Sequence, residues 1–261
     1  MHVLLLKEPK DEFGPDPYIT ALATHGHKAT LIPVLSFKFV SLNTLADKVF
    51  QPEKHGGLIF TSPRAVEAVK MCLEAEDRRE EWNRSVKDKW KTKSIYVVGK
   101  ATAALVRNLG LDPVGEDTGT ADVLSRVIIE REDRNIRPLF FPCGSIKREV
   151  LPTALRDNGK LPLETLTVYQ TAEHPDLEKN LKNFFEEQGS PGSVAFFSPS
   201  GVKFCLDVIR RLSGDQLTQI KFAAIGTTTG DAMAAEGLCV SCTAEKPTAE
   251  HLAAVIAKVL Q

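Results

Sequence analysis

An internal duplication is the feature of this sequence that most constrains its fold. An apolar segment leads into the Ser-Pro pair at residues 62–63 and then into an amphipathic stretch, and the same order returns at residues 198–199. Gly99 and Gly226 form a second pair, since each follows an apolar run and precedes a helix-like stretch. The period is far longer than that of solenoid proteins, so the sequence predicts a duplicated domain.

Within each copy, short apolar runs alternate with amphipathic stretches. Residues 3–6 predict a short buried strand, residues 28–32 predict a second strand, and the stretch between them, from Pro15 to Gly26, predicts a helix. A strand, a helix and a strand joined by short loops form a βαβ unit, which requires a parallel sheet. The predicted fold class is therefore α/β, with two similar parallel-sheet βαβ domains.

Two segments depart from this rhythm. Residues 33–42 carry several apolar side chains, and both an extended connector between two lobes and a core strand remain open for them. Residues 74–93 are dense in charge and contain Trp82 and Trp90. For this second segment we expect a solvated helix that buries one aromatic edge.

Length and charge exclude several classes of function. With 261 residues and 43% hydrophobic content, the chain can fill two modest cores. Its 33 lysines and arginines are balanced by 34 aspartates and glutamates, so no global positive field recruits nucleic acid or a membrane surface. No apolar stretch approaches the roughly 20 residues of a membrane span. We expect a soluble cytosolic protein that holds any anion locally.

The cysteines predict no metal site. There are five of them, and only Cys239 and Cys242 stand in the C-x-x-C spacing that redox and zinc sites use. Cys239 lies in an apolar segment without a second such pair or a histidine pair nearby, so plain packing is favoured over a zinc or redox role. Reduced thiols agree with a cytosolic location.

Hydroxyl residues follow the predicted strands in both copies. The start of a helix carries free backbone N–H groups and the positive end of the helix dipole, which together suit an anion. Ser62 and Ser198 stand at two such helix starts, which predicts a polyanionic ligand held between the two halves. The alternative is that each serine is an N-cap that only finishes its helix.

Cations occupy unusual places near these helix starts. Arg64 lies in a first helical turn, where a positive charge opposes the dipole unless an anion binds there, and the alternative is a solvated arginine. Lys147 and Arg148 are placed in the same way. Lys221 precedes an apolar run, and a solvated strand-edge lysine is the alternative for it. Thr102, also in a first turn, is expected to keep its hydroxyl free to face a cleft.

Several segments taken together resemble one known family. They are residues 57–66, 96–99, 167–171, 196–201 and 221–226, and they look like uroporphyrinogen-III synthase of the vertebrate type across essentially the whole chain. One departure concerns the stretch after Gly226. Thr227 stands where the family pattern leads us to expect proline, and Gly230 stands where alanine is more usual, while Thr228 and Thr229 remain available.

The resemblance implies an enzyme without a cofactor. Such an enzyme, a carbon–oxygen lyase, closes linear hydroxymethylbilane to uroporphyrinogen III, with loss of water and inversion of ring D through a spirocyclic pyrrolenine. The implied substrate comes from a preceding deaminase, and the implied protein is a cytosolic monomer of heme biosynthesis that binds neither nucleic acid nor membrane.

The resemblance also implies interleaved domains. The repeat alone would divide the chain near residues 131–138. The family instead implies a first domain of residues 1–35 plus 173–261, a second domain of residues 42–167, and connectors at 36–41 and 168–172. The expected fold is then two similar flavodoxin-like domains joined by a two-stranded connector, with a cleft between them.

The resemblance gives the candidate residues their roles. Substrate binding is expected to be shared by side chains at strand ends and helix starts, namely Ser62, Arg64, Thr102, Lys147, Arg148, Ser198, Ser200, Lys221, Thr228 and Thr229. Tyr169 is predicted just beyond a strand at residues 161–168, where the first copy has Val34. Its phenol is the expected hydrogen-bond donor to the departing hydroxyl. The alternative is a tyrosine that packs at the hinge.

Two other classes of function compete with this interpretation. A two-lobed binding protein for a small polyanion uses the same kind of cleft without catalysis, and turnover separates the two. A nucleotide-dependent enzyme is disfavoured because the sequence lacks both the Gly-x-Gly-x-x-Gly pattern and a P-loop.

Overall fold

Short runs of fully buried apolar residues form most of the strands. In this computed structural model, which describes residues 1–9, 14–74, 78–145 and 149–261, Leu4, Ile59 and Phe196 are all 0% exposed. Strands that are buried on both faces belong to parallel sheets covered by helices. The predicted α/β class, with two sheets dominated by parallel strands, is confirmed.

The strands and helices alternate along most of the chain. Within the described residues the strands are β1 (His2–Leu6), β2 (Lys28–Ile32), β3 (Leu35–Phe39), β4 (Gly57–Phe60), β5 (Ser94–Val97), β6 (Pro113–Val114), β7 (Leu139–Gly144), β8 (Leu163–Glu173), β9 (Ser193–Phe196), β10 (Lys221–Ile225) and β11 (Val240–Ala244). The α-helices there are α1 (Pro17–Thr24), α2 (Leu42–Val49), α3 (Pro63–Glu74), α4 (Arg78–Glu81), α5 (Lys87–Lys91), α6 (Lys100–Asn108), α7 (Ala121–Arg131), α8 (Val150–Thr153), α9 (Leu177–Gln188), α10 (Pro199–Ser213), α11 (Gly226–Ala235) and α12 (Ala249–Val259).

The chain divides into two compact units. Unit 1 consists of Met1–Ser36 and Ala172–Gln261, and unit 2 consists of Phe37–Thr171. Unit 1 is discontinuous because β1 pairs with β9, which lies far along the chain. The chain passes from one unit to the other within β3 and again within β8, and not near residues 131–138.

Unit 1 is built on a five-stranded sheet with the order β11-β10-β9-β1-β2, in which every pairing is parallel. Successive residues of a strand point to opposite faces. Accordingly Leu4 and Leu6 belong to the core that includes residues of α9 and α10, whereas Val3 and Leu5 belong to the core that includes residues of α12. Helices therefore cover both faces of this sheet.

Unit 2 is built on a six-stranded sheet with the order β3-β8-β7-β4-β5-β6. The pairs from β8 to β6 are parallel. Leu58 and Phe60 pack on one face and Ile59 on the other, so this sheet is also buried on both sides. Because these strands are parallel, the carboxyl ends of β4, β5 and β7 meet at one edge.

The segment at residues 33–42, for which two interpretations were open, contains a strand. The Val40 N–H donates to the Val168 carbonyl at 2.9 Å, and the His174 N–H donates to the Val34 carbonyl at 3.0 Å. Partner numbers rise on one strand as they fall on the other, so β3 runs antiparallel to β8. β3 therefore adds an edge strand to the sheet of unit 2.

The charged segment before β5 buries both of its tryptophans. The expectation that it buries only one aromatic edge is therefore wrong. Trp82 is 1% exposed and Trp90 is 0% exposed. Their indole N–H groups donate to the Leu109 carbonyl at 3.1 Å and the Val49 carbonyl at 2.8 Å. Full burial is tolerated because each polar N–H has a partner.

Candidate active site

A cavity of about 330 Å³ lies at the carboxyl edge of the sheet in unit 2. It is bordered by the ends of β4, β5 and β7, by β8, and by the start of α7. Its lining residues are Thr61, Ser62, Val98, Gly119, Thr120, Ala121, Phe141, Cys143, Gly144, Leu151 and Tyr169. None of these lining residues carries an acidic or basic side chain, so the described walls are neutral and present hydroxyl groups and apolar surface.

The hydroxyl groups of Tyr169 and Ser62 are hydrogen-bonded to each other at this cavity. The phenol oxygen of Tyr169 lies 3.0 Å from Oγ of Ser62, and either hydroxyl can be the donor. Oγ of Ser62 also accepts the Ala65 backbone N–H at 3.3 Å. Ser62 is thus the N-cap of α3, and the same oxygen additionally contacts the predicted catalytic phenol.

Tyr169 lies inside a strand, so the expectation that it follows a strand end is wrong. The pairing of β8 with β7 ends at Tyr169, and β8 continues to Glu173 because β3 pairs with it there. Opposite Tyr169 on β7 stands Gly144, at a register irregularity that begins after Cys143. The Ser145 N–H donates to the Tyr169 carbonyl at 2.9 Å, which fixes the backbone beneath the phenol.

Arg64 is stacked rather than freely solvated. Its guanidinium carbon lies 3.2 Å from the ring centroid of Phe37 and 6.0 Å from that of Tyr169. The two rings are edge to face, with their centroids 6.3 Å apart. A cation over an aromatic face is stabilised by the ring quadrupole, and its N–H groups remain able to bind an anion.

In unit 1, three of the predicted binding residues reach one edge of the sheet. Ser198 follows β9 and caps α10, where its Oγ accepts the Gly201 N–H at 3.1 Å. Ser200 lies in the first turn of that helix, and Thr228 is an exposed residue at the start of α11, which follows β10. Because β9 and β10 are parallel neighbours, these hydroxyls lie at their shared carboxyl edge.

Lys221 lies at the opposite edge of the same sheet. It is the first residue of β10 and pairs with Ser193, the first residue of β9. A five-residue strand separates its two ends by roughly 13 Å. The strand-edge interpretation of Lys221 is therefore supported, and its grouping with Ser198 and Thr228 is wrong.

Two predicted hydroxyls are buried. Thr102 is 2% exposed and Thr229 is 3% exposed. Both sit near the start of a helix, but on the face that packs against the protein, so the expected free hydroxyl of Thr102 is wrong. Lys147 and Arg148 lie outside the described residues.

The structure adds residues that sequence reasoning did not assign to the site. Phe37 lies in the segment left ambiguous, and Gly144 is where β7 ends. Thr120 is the N-cap of α7, where its side chain accepts the Val123 N–H, and it lines the cavity. The rule that ligands bind at the carboxyl ends of parallel strands could have identified Gly144 from the sequence. Phe37 had no such signal.

Within residues 1–9, 14–74, 78–145 and 149–261, no group of three or more His, Cys, Asp or Glu side chains is arranged to hold a metal ion. Cys239 is exposed, contrary to the packing expectation. Burial raises the pKa of the Cys242 thiol to about 11.

In the described part of the chain, none of the helices is both long and apolar enough to cross a membrane.

Comparison with known sequences gives one consistent family. The profile of the uroporphyrinogen-III synthase HemD family matches residues 16–254. The chain is 30% identical over 257 residues to uroporphyrinogen-III synthase of Schizosaccharomyces pombe, with 97% of this chain and 95% of that protein covered. It is 25% identical over 266 residues to the enzyme of Chlorobaculum parvum, with both chains fully covered.

Solved structures share the fold. Uroporphyrinogen-III synthetase from Helicobacter pylori aligns with a TM-score of 0.61 and 15% identity, over 100% of this chain and 99% of that one. A mutant uroporphyrinogen III synthase from Thermus thermophilus aligns with a TM-score of 0.55 and 17% identity, over 100% and 98% of the two chains. At these identities the structural likeness supports the fold.

Proposed function

The chain belongs to the uroporphyrinogen-III synthase family, and on that premise we propose how it converts hydroxymethylbilane to uroporphyrinogen III in heme biosynthesis. The reaction closes the linear tetrapyrrole, loses water and inverts ring D, which makes the protein a carbon–oxygen lyase. The observation that carries the proposal is the pair of hydroxyls, Tyr169 and Ser62, at a cavity with neutral walls.

The leaving hydroxyl of the substrate needs a proton. Oγ of Ser62 already accepts the Ala65 N–H, so its own proton is available for the phenol oxygen of Tyr169. With Ser62 as donor, the phenol proton of Tyr169 is free to point into the cavity. It then joins the departing hydroxyl, which leaves as water, and Ser62 stabilises the phenolate that forms.

The proton balance closes at the end of the cycle. Loss of water leaves a cationic methylene carbon on the first ring, and the substituted carbon of ring D attacks it to give the spirocyclic intermediate. The bond from that ring D carbon to its original methylene bridge then breaks, and the freed methylene carbon bonds to the unsubstituted α-carbon of ring D. That α-carbon loses its proton, and the phenolate of Tyr169 takes the proton up. The phenol is regenerated, and the step requires no cofactor.

Carboxylate binding is a separate task. The substrate carries an acetate and a propionate on each pyrrole ring, and the described walls of the cavity hold no cation. We assign carboxylates to the stacked guanidinium of Arg64, and to the helix-start hydroxyls of Ser198, Ser200 and Thr228. The buried Thr102 and Thr229 then support helix starts from within and do not contact the substrate directly.

The remaining parts of the proposal concern the state of the protein. We place it in the cytosol as a monomer, and we take the two units as the discontinuous domains that the family resemblance implies. The neutral charge balance, 33 basic against 34 acidic side chains, favours a soluble protein that binds its polyanion through local groups.

The test uses purified protein and freshly prepared hydroxymethylbilane, with the two uroporphyrinogen isomers resolved after oxidation. Isomer III is expected as the enzymatic product, against isomer I from spontaneous closure. Tyr169→Phe is expected to keep the fold and bind substrate, while turnover falls by about ten- to a thousand-fold. Formation of isomer I alone would support the rival function, a polyanion-binding protein without catalysis.

A further inference from the structure

We infer that Gly144 is a positioning residue for Tyr169, because its missing side chain creates the space in which the phenol ring lies. The inference rests on the proposed catalytic role of Tyr169. Gly144 ends β7 and stands opposite Tyr169 of β8 in the parallel pairing. Both residues line the same cavity.

The geometry leaves no room for a side chain at residue 144. A Cβ atom built on Gly144 would lie 2.6 Å from Cζ, 2.7 Å from Cε2 and 2.8 Å from the hydroxyl oxygen of Tyr169. Nonbonded carbon atoms prefer about 3.5–4.0 Å. The ring would therefore have to move by about 1 Å, and its hydroxyl would leave the position 3.0 Å from Ser62.

Backbone conformation gives no other reason for glycine at this position. Gly144 is not among the glycines with positive φ, whereas Gly99 has a φ of 88° and nothing within 4 Å of a built Cβ. Gly99 is thus explained by its turn, and Gly144 is explained by the ring above it. The three nearest atoms at residue 144 all belong to the Tyr169 side chain.

A purely structural role makes a different prediction. Aromatic rings that cover a bare glycine in a neighbouring strand stabilise sheets, and loss of that cover lowers stability without a specific effect on kcat. A positioning role instead predicts that substitution of Gly144 lowers kcat, because a shift of about 1 Å in a reacting group can cost about a hundred-fold in rate.

The first experiment is Gly144→Ala, assayed with hydroxymethylbilane. The expected result is a kcat lowered by about a hundred-fold with KM changed less than about three-fold, since the assigned carboxylate sites are untouched. Gly230→Ala is the matched control. Its Cβ would meet atoms no closer than 3.6 Å at an unstrained φ, so turnover should equal that of the wild type.

The second measurement follows the ring itself. The chain has three tyrosines, so fluorotyrosine labelling gives three ¹⁹F resonances that Tyr→Phe variants assign. Gly144→Ala should move the resonance of Tyr169 and leave those of Tyr18 and Tyr96 in place. An unmoved Tyr169 resonance, or wild-type kcat in Gly144→Ala, overturns the inference.

A double variant separates this inference from the proposed function. Gly144→Ala should have no further effect on kcat in a Tyr169→Ala background, where the ring is gone, and an added loss of similar size overturns positioning. If Gly144→Ala alone fails to fold, recovery of folding in the double variant supports the steric pairing, and failure to recover overturns it. Wild-type turnover in Tyr169→Phe defeats the proposed catalytic role, whereas a defect there with wild-type kcat in Gly144→Ala defeats only the role of Gly144.

Discussion

The guanidinium carbon of Arg64 lies 3.2 Å from the ring centroid of Phe37. Arg64 belongs to the first turn of α3, where its charge opposes the helix dipole. Phe37 belongs to β3 at the sheet edge and stabilises the cation there in the absence of an anion. The stack therefore holds the guanidinium, which we propose binds a substrate carboxylate, 6.0 Å from the ring centroid of Tyr169.

We predict that Phe37→Leu weakens substrate binding. Loss of a partly exposed cation–π contact costs about 0.5–1 kcal/mol, so KM for hydroxymethylbilane should rise about two- to five-fold while kcat stays close to that of the wild type. Arg64→Gln removes the cation itself, and its KM should rise by about ten-fold or more. Initial rates over a range of substrate concentrations separate the two constants.

Phe39→Leu is the matched control for this prediction. Phe39 lies two residues along β3, on the same side of the strand, and packs against the core of unit 2. Within the described residues it stacks on no cation. This control should lower thermal stability and leave KM unchanged. Equal KM values for Phe37→Leu and the wild type would contradict the role given to the stack.

We predict that Ser62→Ala lowers both stability and kcat. The variant loses an N-cap, which costs about 1 kcal/mol of folding free energy. It also loses the hydrogen bond to Tyr169, so kcat should fall by about two- to ten-fold. Denaturant titration and steady-state rates measure the two effects independently.

Thr248→Ala isolates the capping effect. Thr248 is the N-cap of α12, where its side chain accepts the His251 N–H. Its loss should lower stability about as much as the loss of Ser62, with unchanged kcat. If Ser62→Ala behaves like Thr248→Ala, then Ser62 is only a cap and does not support the phenol of Tyr169 in catalysis.

Strands such as β1, which is buried from Val3 to Leu6, were predictable because buried parallel strands are continuous apolar runs. The strand at Lys28–Ile32 was predicted with its observed limits, and β1 extends only one residue beyond the prediction. The helix starts after Ser62 and Ser198 were also predictable from the sequence, since Ser-Pro combines an N-cap with the residue favoured in the first turn. These signals are local in the sequence.

The errors came from non-local relationships. β8 continues past Tyr169 because β3 pairs with it, and that pairing joins residues far apart in the chain. Thr102 was placed on the wrong side of α6 because each residue turns a helix by about 100°, so a small error in the start changes the exposed face. The contact between Tyr169 and Ser62 likewise depends on the order of β8, β7 and β4 in the sheet.

We predict an acid-sensitive contribution to stability from Glu164. Its pKa is lowered chiefly because Lys48 donates a hydrogen bond to it, with a further hydrogen bond from His55. A carboxyl group whose pKa is lower in the folded state stabilises the fold at pH values above its unfolded pKa of about 4.3. That stability disappears as the pH falls through the lowered folded value.

The measurement is urea unfolding of the wild type and Glu164→Gln from pH 7 down to strong acid, below the lowered pKa of Glu164. Glu164→Gln should be less stable at pH 7, and the two proteins should converge in strong acid, where the wild-type carboxyl is protonated as well. Glu67→Gln, at an exposed position on α3, serves as the control and should match the wild type throughout. A constant difference between Glu164→Gln and the wild type at every pH would contradict the linkage.

Cys72 and Cys239 should respond very differently to the same substitution. Cys72 is 4% exposed on the buried face of α3, its thiol donates to the Leu42 carbonyl at 3.4 Å, and burial raises its pKa to about 11. Cys72→Gln forces a longer polar side chain into this packed space, and we expect a loss of about 2–4 kcal/mol of stability. Cys239 is exposed, so Cys239→Gln should be neutral.

Denaturant titration compares the two, and turnover per folded molecule should stay at the wild-type level in both, because neither thiol belongs to the site. Equal stability of the two variants would mean that the α3 core adapts to a polar chain, contrary to this packing.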